Sequence, residues 1–302
     1  MDHSCRPNVV GNYNPNDYRY NTLFLDSLIY FLLCSKIIFK INIIPTFFFR
    51  EIIIRTIGKI KHFSDIRLSY ITGNLYENTE KRRKLLMETY YFYCECSNCL
   101  DESADFLKSS LKCPHCEKGC VPILTECCVN CNKNINHQKN PELIQASKKI
   151  RLKISTAISN LTQNNGNNYT CSDINIYENL YDQAVEVLHP YDCDFMALLE
   201  KLSEIFFQVN ARYDHMILRK YLNITKLMDQ NLSLTYPKFH PYLGTYCLCL
   251  AKISYNLHLY DEAKSYNNRL EKILQVAYGP GHPELEKCKR FHEEINFMIL
   301  SI

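Results

Sequence analysis

The chain has 302 residues, 46% of them hydrophobic, enough for one large domain or a few small ones. Its net charge of +3 is too small to argue for a nucleic-acid or membrane-surface partner, and 8 Gly leave little for a Gly-rich cofactor fold. Sixteen cysteines stand out, nine of them between Cys94 and Cys131 in short-spaced pairs. Even spacing would point to a secreted disulfide scaffold; clustering reads as zinc in a reducing compartment, hence cytoplasm or nucleus. The N-terminus has no basic region followed by an apolar run, so a secretory signal is not expected.

Residues 1–20 are polar and rich in Gly, Pro, Asn and Asp, which punctuate loops. His3 and Cys5 lie here, and a lone Cys is more often a buried thiol than a ligand. From Leu23 to Ile57 Phe, Ile and Leu dominate. A transmembrane helix needs about 20 nearly uncharged residues, and Asp26, Lys36, Lys40 and Pro45 interrupt every such window. No membrane span is expected; buried strands, a buried helix or a foreign insertion over 20–49 account for the stretch instead. Ile52–Ile57 is short and β-branched, Gly58 marks a turn, and Asp65–Tyr70 alternates with period two, so two strands are expected. A helix is expected over Thr79–Tyr90, with Thr79 as its cap, Lys81–Lys84 facing solvent, and Leu85, Leu86 and Thr89 turned inward.

Tyr90–Cys99 then places Cys94, Cys96 and Cys99 within six residues. Tetrahedral Zn²⁺ takes four soft ligands, so this run is one short. After a connector over Asp101–Ser110 come two C-x2-C knuckles, Cys113/Cys116 and Cys128/Cys131, a strong zinc pattern. Cys120, Cys127, His115 and His137 compete as ligands there. From Pro141 the chain reads as helical. Asp194–Val209 carries Phe195, Leu199, Leu202, Ile205, Phe206 and Val209 on one stripe, and Leu243, Tyr246, Cys247, Leu250, Ile253 and Leu257 make another. Thr162–Thr170 is a polar loop. Tyr236 with His240-Pro241 recurs as Tyr278 with His282-Pro283, an interval of 278 − 236 = 42 residues. The interval is longer than the usual repeat of about 34 residues, but the apolar helix, tight turn and Asp261-Glu262-Ala263 helix start between the two motifs suggest helix–turn–helix repeats of the tetratricopeptide type, which stack to bury their faces and present a concave partner surface.

Four features in chain order resemble the C-terminal two-thirds of the SET and MYND domain (SMYD) protein-lysine methyltransferases. They are Asp2-His3-Ser4-Cys5-Arg6-Pro7-Asn8, a strand ending in Ser69-Tyr70, Arg82-Arg83-Lys84 with Tyr90-x-Phe92-x-Cys94-x-Cys96-x-x-Cys99, and the repeat-like helical tail. The resemblance implies an α+β protein. The C-terminal part of a SET domain would span 1–92, a post-SET zinc motif 93–100, a second Cys-rich zinc segment 101–140, and an all-α repeat domain 141–302. It supplies Cys5 as the fourth ligand beside Cys94, Cys96 and Cys99; the second zinc set, Cys113, Cys116, Cys128 and Cys131, rests on the knuckle spacing, since 101–140 matches only some members of the family. It implies S-adenosylmethionine as cofactor, held by Asp2, His3, Tyr70 and Phe92. Tyr70 would be the catalytic tyrosine, and Tyr90 would line the channel for the substrate lysine. Asp2 stands where the family has Asn, keeping an acceptor but losing a donor and adding charge.

Two departures from the family matter. Its Gly-rich cofactor strand and MYND finger would precede Met1, so the chain alone is not expected to methylate unaided. Cys5 and Tyr70 lie 70 − 5 = 65 residues apart where the family has a short hairpin, which marks 20–49 as the excess. Two functions therefore compete: lysine methylation of a protein substrate, and a non-catalytic zinc and helical-repeat scaffold for a protein partner. A DNA-binding zinc protein is disfavoured, because neither knuckle pair precedes a basic recognition helix.

Overall fold

A computed structural model describes residues 2–13, 40–43, 50–71, 73–116, 118–135, 140–163, 169–208 and 214–301. The strands and helices alternate early and give way to helices. In order they are β1 (Asp2–His3), β2 (Val9–Tyr13), β3 (Lys40–Ile43), β4 (Arg50–Thr56) and β5 (Arg67–Leu68). Then follow α1 (Thr79–Tyr90), α2 (Ser97–Leu100), α3 (Glu102–Phe106), β6 (Ser110–Lys112) and β7 (Cys120–Pro122). The rest is α4 (Pro141–Gln163), α5 (Cys171–Ala184), α6 (Cys193–Gln208), α7 (His215–Thr235), α8 (Pro241–Asn256), α9 (Tyr260–Ala277) and α10 (Pro283–Leu300). The content is mostly helical with small sheets, compatible with α+β. Among the described residues no helix is long and apolar enough to cross a membrane.

The chain forms two compact units, which cut across the segments expected from sequence. One comprises Met1–Leu75, Arg82–Leu100 and Leu232–Ile302; the other comprises Tyr76–Lys81 and Asp101–Asn231.

In the first unit β1 pairs in parallel with β5, His3 opposite Leu68, and β2, β4 and β3 form an antiparallel sheet in that order. The β-branched run Ile52–Ile54 suits β4, the central strand of that sheet. Lys40–Ile43, from the stretch read as an insertion, pairs with it; residues 20–39 and 44–49 lie outside the described residues. The period-two strand expected over Asp65–Tyr70 shrinks to Arg67–Leu68 behind a 3-10 turn at Phe63–Asp65. The cause is Asn8. Its side chain donates to the Asp65 carbonyl at 2.8 Å and accepts the Arg67 N–H at 2.8 Å, taking bonds a longer ladder would use.

Helices α8, α9 and α10 pack in sequence, α8 against α9 and α9 against α10. All six residues of the expected α8 stripe are buried, including Leu257 just beyond its end. The repeated Tyr…His-Pro proves to be a helix-start device. His240 Nδ1 accepts the Tyr242 N–H and His282 Nδ1 accepts the Glu284 N–H, each at 3.2 Å, while Pro fills the first helical position. The preceding Tyr lies against each His, at 4.9 Å for Tyr236 and 4.4 Å for Tyr278 between ring centroids. Gly279 ends α9 at φ 80°, and the Arg55 guanidinium occupies the space a Cβ would need.

Tyr236 also ties down the segment after β5. Its hydroxyl donates to the Gly73 carbonyl at 2.9 Å and accepts the Leu75 N–H at 3.2 Å. Tyr236→Phe keeps the ring and removes both bonds. It should cost about 1–3 kcal/mol in urea unfolding, the range for groups left with a lost partner in the interior. An unchanged midpoint would show that water replaces both bonds freely.

In the second unit α6 lies against α4 and α5. Phe195, Leu199, Leu202, Ile205 and Phe206 of α6 are all buried; Val209 lies outside the described residues. Phe206 stacks on Tyr221 at 3.6 Å between centroids. Thr170, at the end of the expected polar loop, caps α5 in a reciprocal box with Asp173. The expected connector Asp101–Ser110 carries α3.

Helix α1 has the expected bounds but a different orientation. Asn78 rather than Thr79 caps it, its Oδ1 accepting the Lys81 N–H at 2.9 Å. Arg82 is buried instead of facing solvent, and Thr89 is exposed instead of buried.

Candidate functional site

The site in the first unit is built by the turn after α1. Tyr91 follows that helix at φ 59°, a left-handed conformation that non-Gly residues rarely take. The turn leaves Tyr91 85% exposed, while Tyr90 and Phe92 on either side of it both pack against Tyr70. Cys94 and Cys96 follow, and α2 supplies Cys99 in a tight turn whose N–H donates to the Cys96 carbonyl at 2.8 Å. Cys5 arrives from the chain beyond β1. Its N–H donates to Cys96 Sγ at 3.4 Å, and the Sγ atoms of Cys5 and Cys99 lie 3.5 Å apart.

The four Sγ atoms of Cys5, Cys94, Cys96 and Cys99 all lie within 4.8 Å of one another. A tetrahedron with Zn–S of about 2.3 Å has edges of roughly 3.8 Å, so four thiols at this separation fit Zn²⁺ without rearrangement. Crowding also splits their proton affinities. Hydrogen bonding to Cys94 pushes the Cys5 thiol far up, and hydrogen bonding from Cys5 pulls Cys96 far down.

Two arginines that sequence reasoning assigned to solvent flank this cluster. Arg82, fully buried, donates through Nη2 to Cys99 Sγ at 3.5 Å. Arg83 donates to the carbonyls of Cys94 at 2.9 Å and Cys99 at 3.2 Å, and its guanidinium lies 4.1 Å from the Tyr93 ring centroid. One signal was available: Arg82 sits one helical turn before the buried Leu86, on the same face.

His3 joins the thiols to the aromatic residues. Burial lowers its pKa to about 4, so the ring is neutral at pH 7. Its Nδ1 accepts the Tyr70 N–H at 3.0 Å, which puts the ring proton on Nε2, 3.3 Å from Cys5 Sγ. The His3 centroid lies 5.1 Å from Tyr70 and 5.5 Å from Phe92. Tyr70 lies 5.0 Å from Tyr90 and 5.9 Å from Phe92, and the Tyr90 hydroxyl donates to the Tyr70 carbonyl at 3.3 Å. His3, Tyr70 and Phe92, with Arg6, Arg67 and Tyr93, line an open cleft of about 860 Å³. Asp2 is placed in β1 opposite Arg67, and its side chain lies outside the described residues.

The second unit holds a second tetrad. Cys113, Cys116, Cys128 and Cys131 lie within 4.8 Å of one another, with Cys113–Cys131 at 3.8 Å and Cys116–Cys128 at 3.7 Å. These separations match the zinc tetrahedron. Backbone N–H groups of His115, Asn130 and Cys131 donate to the sulfurs. Gly119 closes the first knuckle, where a Cβ would press on the sulfurs of Cys116 and Cys128. Of the competing ligands, Cys120 is buried in β7 with its thiol pushed up to about 11 by desolvation. Cys127 donates to the Asn132 carbonyl at 3.4 Å, His115 contributes its N–H, and His137 lies outside the described residues.

No family model matches the chain. The chain is similar to the histone-lysine N-methyltransferase ASHR1 of Arabidopsis thaliana, 24% identical over 264 residues. The match covers 80% of this chain and 50% of that protein, so the chain spans half the length of the curated relative it matches.

Proposed function

We propose that the chain acts in S-adenosylmethionine-dependent protein-lysine N-methylation as a SMYD-like protein of the cytoplasm or nucleus. The observation that carries this is the meeting of His3, Tyr70 and Phe92 at one cleft beside four thiols, with Tyr90 packed against Tyr70. Similarity to a histone-lysine N-methyltransferase supports it. The cofactor would be held by His3, Tyr70 and Phe92, with Asp2 beside them, and aromatic faces at an open cleft suit a cation and a purine. When bound, S-adenosylmethionine supplies an electrophilic methyl on a sulfonium.

The chain's own residues then position rather than react. His3 fixes the Tyr70 backbone through Nδ1, and Tyr90 fixes it through the carbonyl. The Tyr70 hydroxyl would orient the incoming lysine amine, the catalytic role, and Tyr90, packed against Tyr70, would line its approach. Orientation is the main lever in such a displacement. Zinc at Cys5, Cys94, Cys96 and Cys99 would hold Phe92 in place, and zinc at Cys113, Cys116, Cys128 and Cys131 would fold the knuckles of the other unit. Titration calorimetry of the whole protein with S-adenosylmethionine tests the reading. Binding is expected, weakened by about 0.5–2 kcal/mol in Phe92→Ala through loss of an aromatic contact. Absence of binding by the wild-type protein rejects it.

A groove of about 530 Å³ over α8, α9 and α10 favours the second reading, a protein-binding scaffold. Gly244, Leu270, Leu274 and Phe291 line it, with Lys252 and Arg290 beside them. A protein that lacks cofactor binding yet retains both zinc sites would fit that reading instead.

A further inference from the structure

A buried cation and a buried cluster of thiols face each other in the first unit. Arg82 is 0% exposed and is among the largest fully buried side chains of the chain. Its Nη2 meets Cys99 Sγ, and its charge acts on Cys5 as well. The rest of the basic run goes elsewhere. Lys81 pairs with Asp194 at 2.6 Å, Arg83 grips backbone carbonyls, and Lys84 is exposed beside Glu88.

Burying a guanidinium costs several kcal/mol unless an opposite charge and hydrogen bonds compensate it. A Zn²⁺ ion with four thiolates is itself a buried anion, since four negative charges outweigh two positive ones. Each of the two therefore removes the other's penalty. We propose that Arg82 is the charge-balancing and positioning residue of the Cys5, Cys94, Cys96 and Cys99 centre, setting how tightly that centre holds zinc. The inference rests on reading that tetrad as a zinc site. Residues that support metal ligands by hydrogen bonds typically contribute 10–100-fold in metal affinity. The second tetrad offers a comparison within the same chain. There a neutral amide, Asn130 Nδ2, approaches Cys116 Sγ at 3.7 Å.

The test is chelator competition on the wild-type protein, Arg82→Met and Arg82→Lys, followed by a colorimetric zinc indicator. Circular dichroism monitors the fold. In Arg82→Met one zinc ion is expected to bind about 10–100-fold more weakly, with the other unchanged. Arg82→Lys keeps the charge, loses the planar fork, and should fall between. Cobalt substitution adds a spectroscopic reading: the sulfur-to-cobalt charge-transfer band of one site should move in both variants. Wild-type affinity at both sites overturns the proposal, and so does equal weakening of both sites, which signals general destabilisation. Should Arg82→Met not fold, Arg82→Lys decides on the same criteria. A wild-type protein with no zinc on Cys5, Cys94, Cys96 and Cys99 overturns the zinc reading itself, and the role of Arg82 with it.

Discussion

Replacing Cys99 by serine should lower bound zinc from one ion on each of the two tetrads to one ion in all, and should loosen the Tyr70 cluster. Serine offers a hard oxygen with little tendency to ionise where zinc takes a soft thiolate. Structural zinc contributes about 10–16 kcal/mol of apparent binding energy in small domains, comparable to the whole stability of a folded domain. The effect is large here for a topological reason. The ion would bridge Cys5 to Cys94, Cys96 and Cys99, closing a loop of 94 − 5 = 89 residues. His3 lies two residues before Cys5 and Phe92 two before Cys94, so opening the centre releases both walls of the cleft. Metal content by atomic emission and the near-ultraviolet tyrosine dichroism should fall together in Cys99→Ser. Cys113→Ser should remove the other ion and leave the Tyr70 cluster signal intact. Two ions retained in Cys99→Ser would mean that Cys99 is not a required ligand, and a single ion in the wild-type protein would mean that the first tetrad holds free thiols.

What the sequence disclosed depended on whether a residue's partners are local. Helix α1 was legible to its bounds because an apolar pair, a basic run and a polar start lie within its own length. The stripe on α6 was legible for the same reason, a fixed period along one element, whereas the recurring His-Pro pairs were read as a repeat and not as helix starts. The knuckles at Cys113 and Cys128 announced themselves by spacing. Cys5 did not: nothing near it marks a ligand, and only the likeness of its flanking motif to a known family joined it to Cys94. Arg82 was misread because charge usually means solvent, a rule that fails where a buried anion waits for it. The short β5 was misread because Asn8, 65 − 8 = 57 residues before Asp65, diverts its backbone bonds. Both of these involve a side chain answering a partner outside its own element, whereas the shift of the α1 cap from Thr79 to Asn78 is local.

The second large effect is expected at Arg151. This side chain lies between two carboxylates of the second unit, with Nη2 2.6 Å from Asp192 and Nη1 2.9 Å from Asp194. Asp192 is fully buried. Its Oδ1 accepts the N–H groups of Asp194 and Phe195 at the start of α6, and its Oδ2 accepts the Ser110 N–H from β6. Lys81 holds Asp194 from the other side. Arg151→Met fills similar space without the charge and leaves Asp192 buried without its cation. Breaking a buried pair in this way costs about 3–5 kcal/mol at neutral pH. Desolvation already raises the Asp192 pKa to about 6, with Arg151 pulling against it. Without Arg151 it must rise further. An acid whose folded pKa lies above its unfolded value of about 3.9 binds its proton more tightly when folded. Stability therefore falls as pH rises from that value through the folded pKa, and returns on acidification. The deficit of Arg151→Met relative to wild type should be largest near pH 8 and should shrink by pH 5, where Asp192 folds in protonated. Urea unfolding of both proteins at the two pH values measures this. An equal deficit at both would assign the loss to packing of the Arg151 stem, and a deficit below about 1 kcal/mol, the scale of exposed ion pairs, would show that water reaches Asp192 once the guanidinium is gone.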